Sequence, residues 1–230
     1  MKKKLVVLSG AGISAESGIS TFRDNNGLWE NYKIEDVASI DGFIRNPQLV
    51  LDFYNARRRA YKGCLPNEAH IQLARLEKFF DVTIVTQNVD NLHEIAGSNR
   101  VIHLHGELLK NCSVRNPNVT FDVNLENPDL HVGDLAPDGS QLRPFIVWFG
   151  ESVPMIDVAV SAVTEADIFV IVGTSLNVYP AAGLVAYVGP NVPIYLIDPH
   201  PVVIPYEKKV EIIPKQATEG VQDLVELLRS

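Results

Sequence analysis

The chain has 230 residues, 46% of them hydrophobic and 8% aromatic, with a mean hydropathy of +0.06. That is enough apolar material to bury a core, and too much for a disordered chain. Twenty Lys and Arg against 28 Asp and Glu give a formal net charge of −8 and a pI near 5.2, which argues against a nucleic-acid partner; the run Arg57-Arg58-Arg59 is too short to change this.

The chain opens with Met1-Lys2-Lys3-Lys4 and the apolar run Leu5-Val6-Val7-Leu8. This imitates the start of a secretion signal, but the apolar stretch stops at Ser9-Gly10, so the expected location is the cytoplasm. No apolar run approaches the length of a membrane span. The run reads as a first strand joined to the loop Gly10-Ala11-Gly12-Ile13-Ser14-Ala15. Gly10 and Gly12 permit a tight turn and close approach to a pyrophosphate, Ala15 supplies the third small position, and the following helix N-terminus offers N–H groups. A phosphate-bearing cofactor is expected here. An ordinary dinucleotide fold would reach an acidic ribose ligand at the end of its second strand about twenty residues later. Instead the turn-rich segment Thr21-Phe22-Arg23-Asp24-Asn25-Asn26-Gly27 follows, and helical patterning continues to about Phe79. An insertion therefore interrupts the nucleotide fold.

Helices are expected at about 47–62, 67–79, 153–166, 180–188 and 217–229, with Pro47 and Pro180 in first turns and Asn46 and Asn67 as caps. The short apolar runs 82–85, 101–104, 145–148, 168–172 and 194–197 read as buried parallel strands. The expected class is α/β: a Rossmann-like doubly wound parallel sheet with a smaller, mainly helical and loop-rich insertion lobe. The large lobe would comprise about 1–26, 76–107 and 146–230, and the small lobe about 27–75 and 108–145, within one catalytic domain. Residues 111–144, rich in Asn, Pro, Asp and Gly, show no clear periodicity and read as loop.

Three strand ends carry chemistry-bearing side chains. Thr86-Gln87-Asn88-Val89-Asp90-Asn91-Leu92-His93 offers amides and a carboxylate where open α/β sheets place ligands. In Val101-Ile102-His103-Leu104-His105-Gly106-Glu107, strand alternation would put His103 and His105 on one face, either of them a base or a structural hydrogen-bonder. Gly173-Thr174-Ser175 provides small hydroxyls for phosphate or ribose, or a helix cap.

Taken together, GAGISAESGISTFR, TQNVDNLH, HLHGEL, VWFGESVP and GTSLNVYPAA resemble, in that order and over almost the whole chain, the sirtuin family of NAD-dependent protein-lysine deacylases. The resemblance implies that NAD lies with its pyrophosphate on Gly10, Ala11, Gly12, Ile13, Ser14 and Glu16 and on Gly173, Thr174 and Ser175. Its nicotinamide ribose would reach Gln87, Asn88, Val89 and Asp90, with Phe22, Arg23 and Trp29 closing over it and Asp198, Pro199, His200 and Ala217 at the adenosine end. The implied catalytic residues are His105, general base on a ribose hydroxyl, and Asn88, which positions the ribose or a water; His103 precedes the family's His-Gly pair and is disfavoured. The acyl-lysine oxygen would displace nicotinamide, and the acyl group would leave on ADP-ribose. Val147, Phe149, Gly150 and Glu151, and Leu176 to Val178, match the family's peptide-pairing segments.

Tyr54 and Arg57, at i and i+3 of the helix 47–62, share one face beside an apolar stripe of Leu49, Phe53, Ala56 and Ala60. Tyr-x-x-Arg here resembles the sirtuin branch that removes succinyl, malonyl and glutaryl groups, in which these residues bind the acyl carboxylate. Acidic acyl groups are therefore favoured over acetyl. Sirtuins usually hold a structural zinc with two pairs of cysteines; here only Cys112 stands near that place, Cys64 lies in the other insertion, and His131 with its neighbouring acids lacks ligand spacing, so zinc is expected to be absent. Packing or turn chemistry would then hold 111–144. The expected partners are acyl-lysine proteins, with no nucleic acid or membrane, and a monomer is expected. Rival readings are a mono-ADP-ribosyltransferase, an NAD-sensing binding module and, disfavoured by the missing acidic ribose ligand, a hydride-transferring dehydrogenase.

Overall fold

A computed structural model describes residues 2–20, 32–204 and 208–229. Six strands form one parallel sheet: β1 (Lys4–Ser9), β2 (Asp81–Thr86), β3 (Val101–His103), β7 (Ile168–Val172), β8 (Ile194–Ile197) and β9 (Val210–Ile213), in the order β3-β2-β1-β7-β8-β9. Val6 stands opposite Thr83 on one side and Phe169 on the other. The chain winds outward from β1 to β3, returns, and winds out again from β7 to β9. The reversal between β1 and β7 is where such sheets open a crevice beyond their carboxyl ends.

Strand alternation sends the apolar side chains of β1 to both faces, as burial on two sides requires. Val6 and Leu8 pack with Val85, Phe169 and Ile171 against Ala159 and Val163 of α7 (Ile156–Thr164). Leu5 and Val7 pack with Ile84 and Val170 against Leu73 of α5 (Glu68–Arg75) and Val221 and Leu224 of α8 (Ala217–Arg229). The glycine loop opens α1 (Gly12–Ala15), a single turn crossing the loop after β7 so closely that a Cβ on Gly12 would lie 2.7 Å from the Gly173 Cα.

The small lobe pairs helices with a sheet of its own. The helices α2 (Ile34–Val37), α3 (Ile40–Arg45) and α4 (Pro47–Tyr61) share an apolar cluster with β4 (Gly106–Ser113) and β6 (Leu142–Ile146), and β5 (Thr120–Asp122) completes the antiparallel order β5-β4-β6. Gly106 turns the chain out of the parallel sheet at φ +81°, and a Cβ there would fall 2.1 Å from the Phe145 carbonyl oxygen. Pro47 opens α4 and Asn46 caps it by accepting the Leu49 N–H; Asn67 accepts the Ala69 N–H at the start of α5. The short α6 (Leu92–Ile95) follows the loop after β2.

Several expectations are corrected. The run 145–148 is not a parallel strand: Phe145 and Ile146 end the antiparallel β6, and Trp148 lies beyond it. Residues 111–144 are not merely loop, since they hold the end of β4, all of β5 and the start of β6. The stretch Ala181–Tyr187 is a 3-10 helix with Pro180 preceding its first residue, and the 67–79 helix becomes 3-10 at Leu76–Lys78. The buried face of α4 is Val50, Leu51, Phe53, Tyr54, Asn55, Arg58 and Tyr61, and Ala60 is exposed, because the helix packs on β4 and β6 rather than along the expected stripe. β9, three of whose four residues are only partly buried or exposed, lacks the apolar run that announces a central strand. Among the described residues no helix is long and apolar enough to cross a membrane.

Candidate active site

A cleft of about 910 Å³ opens at the carboxyl ends of β1, β2, β7 and β8 and extends to the small lobe. Gly10, Ala11, Gly12, Ser14 and Glu16 line it after β1; Gln87, Asn88, Val89 and Asp90 after β2; Gly173, Thr174 and Ser175 after β7; Asp198, Pro199 and His200 after β8. His105, Ala217, Tyr54, Arg57, Val147, Phe149, Gly150, Glu151 and Val178 also line it. Ile13 does not: it is fully buried in the core beneath the loop. Phe22, Arg23 and Trp29 lie outside the described residues.

Hydrogen bonds tie the loops across the switch point. Gly10 N–H donates to the Val172 carbonyl (3.0 Å) and Gly12 N–H to that of Gly173 (2.8 Å), so both amides are committed to the protein and these glycines serve the cleft by admitting close approach rather than by their N–H groups. Gln87 Nε2 donates to Thr174 Oγ1 at 2.9 Å, bridging β2 and β7. Asn88 Nδ2 donates to Ser14 Oγ (3.1 Å), which donates to Asp90 Oδ2 (3.1 Å). Burial raises the Asp90 carboxyl above its ordinary value, against the bonds from Leu92 N–H and Ser14. Behind these lie His70 and His93, rings 4.9 Å apart and both depressed by burial, His70 to about 4. Glu16 lines the cleft, but its carboxylate accepts both the N–H and the hydroxyl of Thr218 at the start of α8.

The two candidate bases separate cleanly. β3 ends at His103, so alternation does not carry through to His105. His103 Nδ1 lies 3.1 Å from the Asn88 carbonyl and Nε2 2.7 Å from Glu94, two acceptors that draw a proton onto each nitrogen. Burial lowers its imidazole, but Glu94 and the Asn88 carbonyl outweigh it and leave the pKa raised. His105 has Nδ1 3.0 Å from the Gln87 carbonyl, which fixes the proton on Nδ1 and leaves Nε2 with its lone pair. Burial, opposed by that bond, lowers its pKa below the ordinary histidine value, so the ring is neutral near pH 7.

Toward the small lobe, Arg57 is half-buried and its Cζ stands 5.9 Å from the Tyr54 ring centroid and 5.8 Å from that of Phe53. Tyr61 and Cys64 also line the cleft; with Tyr54 and Arg57 they continue a three-to-four residue spacing that was readable in the sequence. Trp148 and Gln216 line it too, each adjacent to a predicted residue. Glu151 accepts two bonds from Arg143, at 2.6 and 2.8 Å, so its side chain serves the wall of the cleft.

The described residues do not assemble donors for the structural zinc that the sirtuin resemblance implies. Among the described residues no group of three or more His, Cys, Asp or Glu is placed to hold a metal ion, and Cys112 is buried on β4. A nucleotide does fit: the cleft lies at the switch point and is walled by small residues, amides and hydroxyls.

The profile of the Sir2 family matches residues 10–180. A Bacteroides thetaiotaomicron protein named NAD-dependent protein deacylase is 57% identical over 229 residues, 98% of each chain. A Helicobacter pylori protein of the same name is 53% identical over 97% of this chain and 96% of its own. The crystal structure of a Sir2 homolog–NAD complex superposes with a TM-score of 0.88 at 38% identity, covering 99% of this chain and 90% of that one. The glycine loop, the amide-rich loop after β2, the neutral His105 ring and the Thr174-Ser175 turn thus converge with full-length similarity, and the chain belongs to the Sir2 family.

Proposed function

We propose that this protein is an NAD-dependent protein-lysine deacylase that removes succinyl and malonyl groups, and acetyl groups more weakly. The relatives' shared name and the NAD complex of the structural neighbour support the NAD-dependent deacylase reading. One observation carries the finer reading: Arg57 and Tyr54 line the same cleft as His105. Burial lowers the Arg57 guanidinium from its ordinary value, opposed by Tyr54 and Asp90. A cation in that position gains from a further carboxylate, and a guanidinium binds one through two parallel bonds.

In this reading Gly10, Ala11, Thr174 and Ser175 hold the pyrophosphate, Asn88 and Asp90 orient the nicotinamide riboside end, and Asp198 and His200 meet the adenosine. When bound, NAD supplies the cleavable bond between ribose and nicotinamide. His105 Nε2 takes the proton from a ribose hydroxyl, and its Nδ1–H on the Gln87 carbonyl keeps the ring aimed. Val147, Phe149 and Val178 line the cleft where a substrate strand would lie, although the Phe149 backbone is already paired with Ala38 and Ile40. Among the described residues the small lobe runs over α2 to α4 and β4 to β6, whereas α5, expected within the bounds 27–75, packs on the parallel sheet through Leu73. The protein works in the cytoplasm as a zinc-independent monomer, and its net charge of −8 disfavours nucleic acid.

The test is Arg57→Met, assayed on paired succinyl-lysine and acetyl-lysine peptides. A charge-assisted bond contributes about 1.5–3 kcal/mol, so the succinyl-to-acetyl ratio of kcat/KM is expected to fall by roughly one to two powers of ten. Equal losses on both peptides would refute the carboxylate clamp. A pH profile checks the base independently: His105 must be neutral to accept a proton, and its pKa is lowered, so activity is lost on acidification only below the ordinary histidine value of about 6.5. An acid limb centred above that value would remove His105 from the role.

A further inference from the structure

We infer that Trp148 is a specificity-positioning residue: its indole N–H, donated to the Tyr54 oxygen, orients the Tyr54 hydroxyl so that its own proton is offered to an acidic acyl group. The inference rests on the acidic-acyl reading above and deepens it. The bond between Trp148 Nε1 and the Tyr54 oxygen is 2.9 Å, with both side chains almost wholly buried. An indole nitrogen only donates, so the direction of the bond is fixed and the tyrosine oxygen accepts. A phenol hydroxyl prefers the plane of its ring, which gives it two orientations. With the indole in one, the proton takes the other. Burial raises the Tyr54 pKa above its ordinary value, so the hydroxyl keeps that proton at working pH.

The indole is itself held from three sides. The Arg143 guanidinium lies over its face, Cζ 3.7 Å from the ring centroid, and Phe43 packs with its centroid 5.0 Å away. Glu151 accepts the Trp148 backbone N–H at 2.8 Å while pairing with both terminal nitrogens of Arg143. Arg143 also donates to the Ile146 carbonyl at 2.6 Å. The ion pair therefore does two things. It fixes the indole that fixes Tyr54, and it commits the Arg143 charge to Glu151, so that an acyl carboxylate in the cleft meets Arg57 as its cation. Phenylalanine at 148 would keep a ring under Arg143 but would leave the Tyr54 hydroxyl free to turn.

The experiment is a double-mutant cycle of Trp148→Phe and Tyr54→Phe, read as the succinyl-to-acetyl ratio of kcat/KM. Trp148→Phe is expected to lower the ratio about tenfold, through KM for the succinyl peptide rather than through kcat, as befits a hydrogen bond to a charged group held in the wrong direction. In the Tyr54→Phe background the same change should leave the ratio unmoved, because no hydroxyl remains to orient. An equal fall in both backgrounds, or no fall in either, overturns the inference while leaving the Arg57 clamp standing. A wild-type ratio near one that neither Tyr54→Phe nor Arg57→Met alters overturns the acidic-acyl reading and this inference together. Should Trp148→Phe lose its fold on melting, benzothienylalanine at position 148, which replaces the indole N–H with sulfur at nearly constant shape, carries the same test.

Discussion

Replacing His105 with alanine is expected to reduce NAD-dependent acyl removal about a thousandfold or more, the upper range for a general base. Among the described residues the neighbouring histidines offer no substitute, and His200, which also lines the cleft, follows β8 rather than β3. His103, two residues away, has both ring nitrogens engaged, by the Asn88 carbonyl and by Glu94. His70 and His93 face Ser14 and Ser9 from behind the cleft and do not line it. The cost to the fold should be small, because His105 is only half-buried and gives up one bond, to the Gln87 carbonyl, worth about 1 kcal/mol. Single-turnover mass spectrometry on succinyl-lysine peptide, with thermal melting alongside, separates the two effects. A variant that retains a tenth or more of wild-type kcat would mean that the proton leaves by another route.

What could be read in the sequence follows a physical line. β1, β2, β7 and β8 are buried on both faces and announce themselves as apolar runs, interrupted only by Thr83 in β2, and the glycine loop after β1 marks the expected nucleotide end of the cleft. β4 and β5 did not, because half of the β4 side chains and all of the β5 side chains are partly or fully exposed and turn residues flank them. An apolar run of four such as 145–148 carries no mark of strand direction, which is how the end of β6 reads as parallel. Tyr54 and Arg57 were legible from helical spacing. The run Arg57-Arg58-Arg59 was not, since three adjacent cations read alike until the fold divides them: Arg57 enters the cleft, Arg59 pairs at the surface with Asp129, and Arg58 is fully buried.

That burial leads to the second large effect. Arg58→Met is expected to destabilise the protein by about 3–5 kcal/mol, the cost of leaving several buried acceptors without their donor at about 1–3 kcal/mol each. Arg58 Nε donates to the Leu108 carbonyl (3.0 Å), Nη1 to that of Pro128 (3.2 Å), and Nη2 to the Lys110 carbonyl (3.2 Å) and Asn111 Oδ1 (2.6 Å). One turn earlier on α4, Asn55 exchanges two 2.9 Å bonds with the Leu130 backbone. A single cation thus gathers β4 and the segment before β6 onto α4, in a lobe whose described residues offer no group placed to hold a metal ion. Burial brings the guanidinium down to about 10, still well above neutrality, so it remains charged. At about 2–4 °C per kcal/mol for a chain of this size, the melting temperature should fall by roughly 6–20 °C. Arg58→Lys should recover little of it, because an ammonium cannot span the four acceptors that the planar fork reaches. Since α4 also carries Tyr54 and Arg57, loosening its grip on β4 should raise KM for a succinyl-lysine peptide, if those two residues bind it as proposed, before the lobe melts. Differential scanning calorimetry with and without a chelator decides the matter. The wild-type transition should ignore the chelator and shift only with Arg58; a chelator-sensitive transition, or an Arg58→Met protein that melts with the wild type, would return the lobe to a metal or to packing alone.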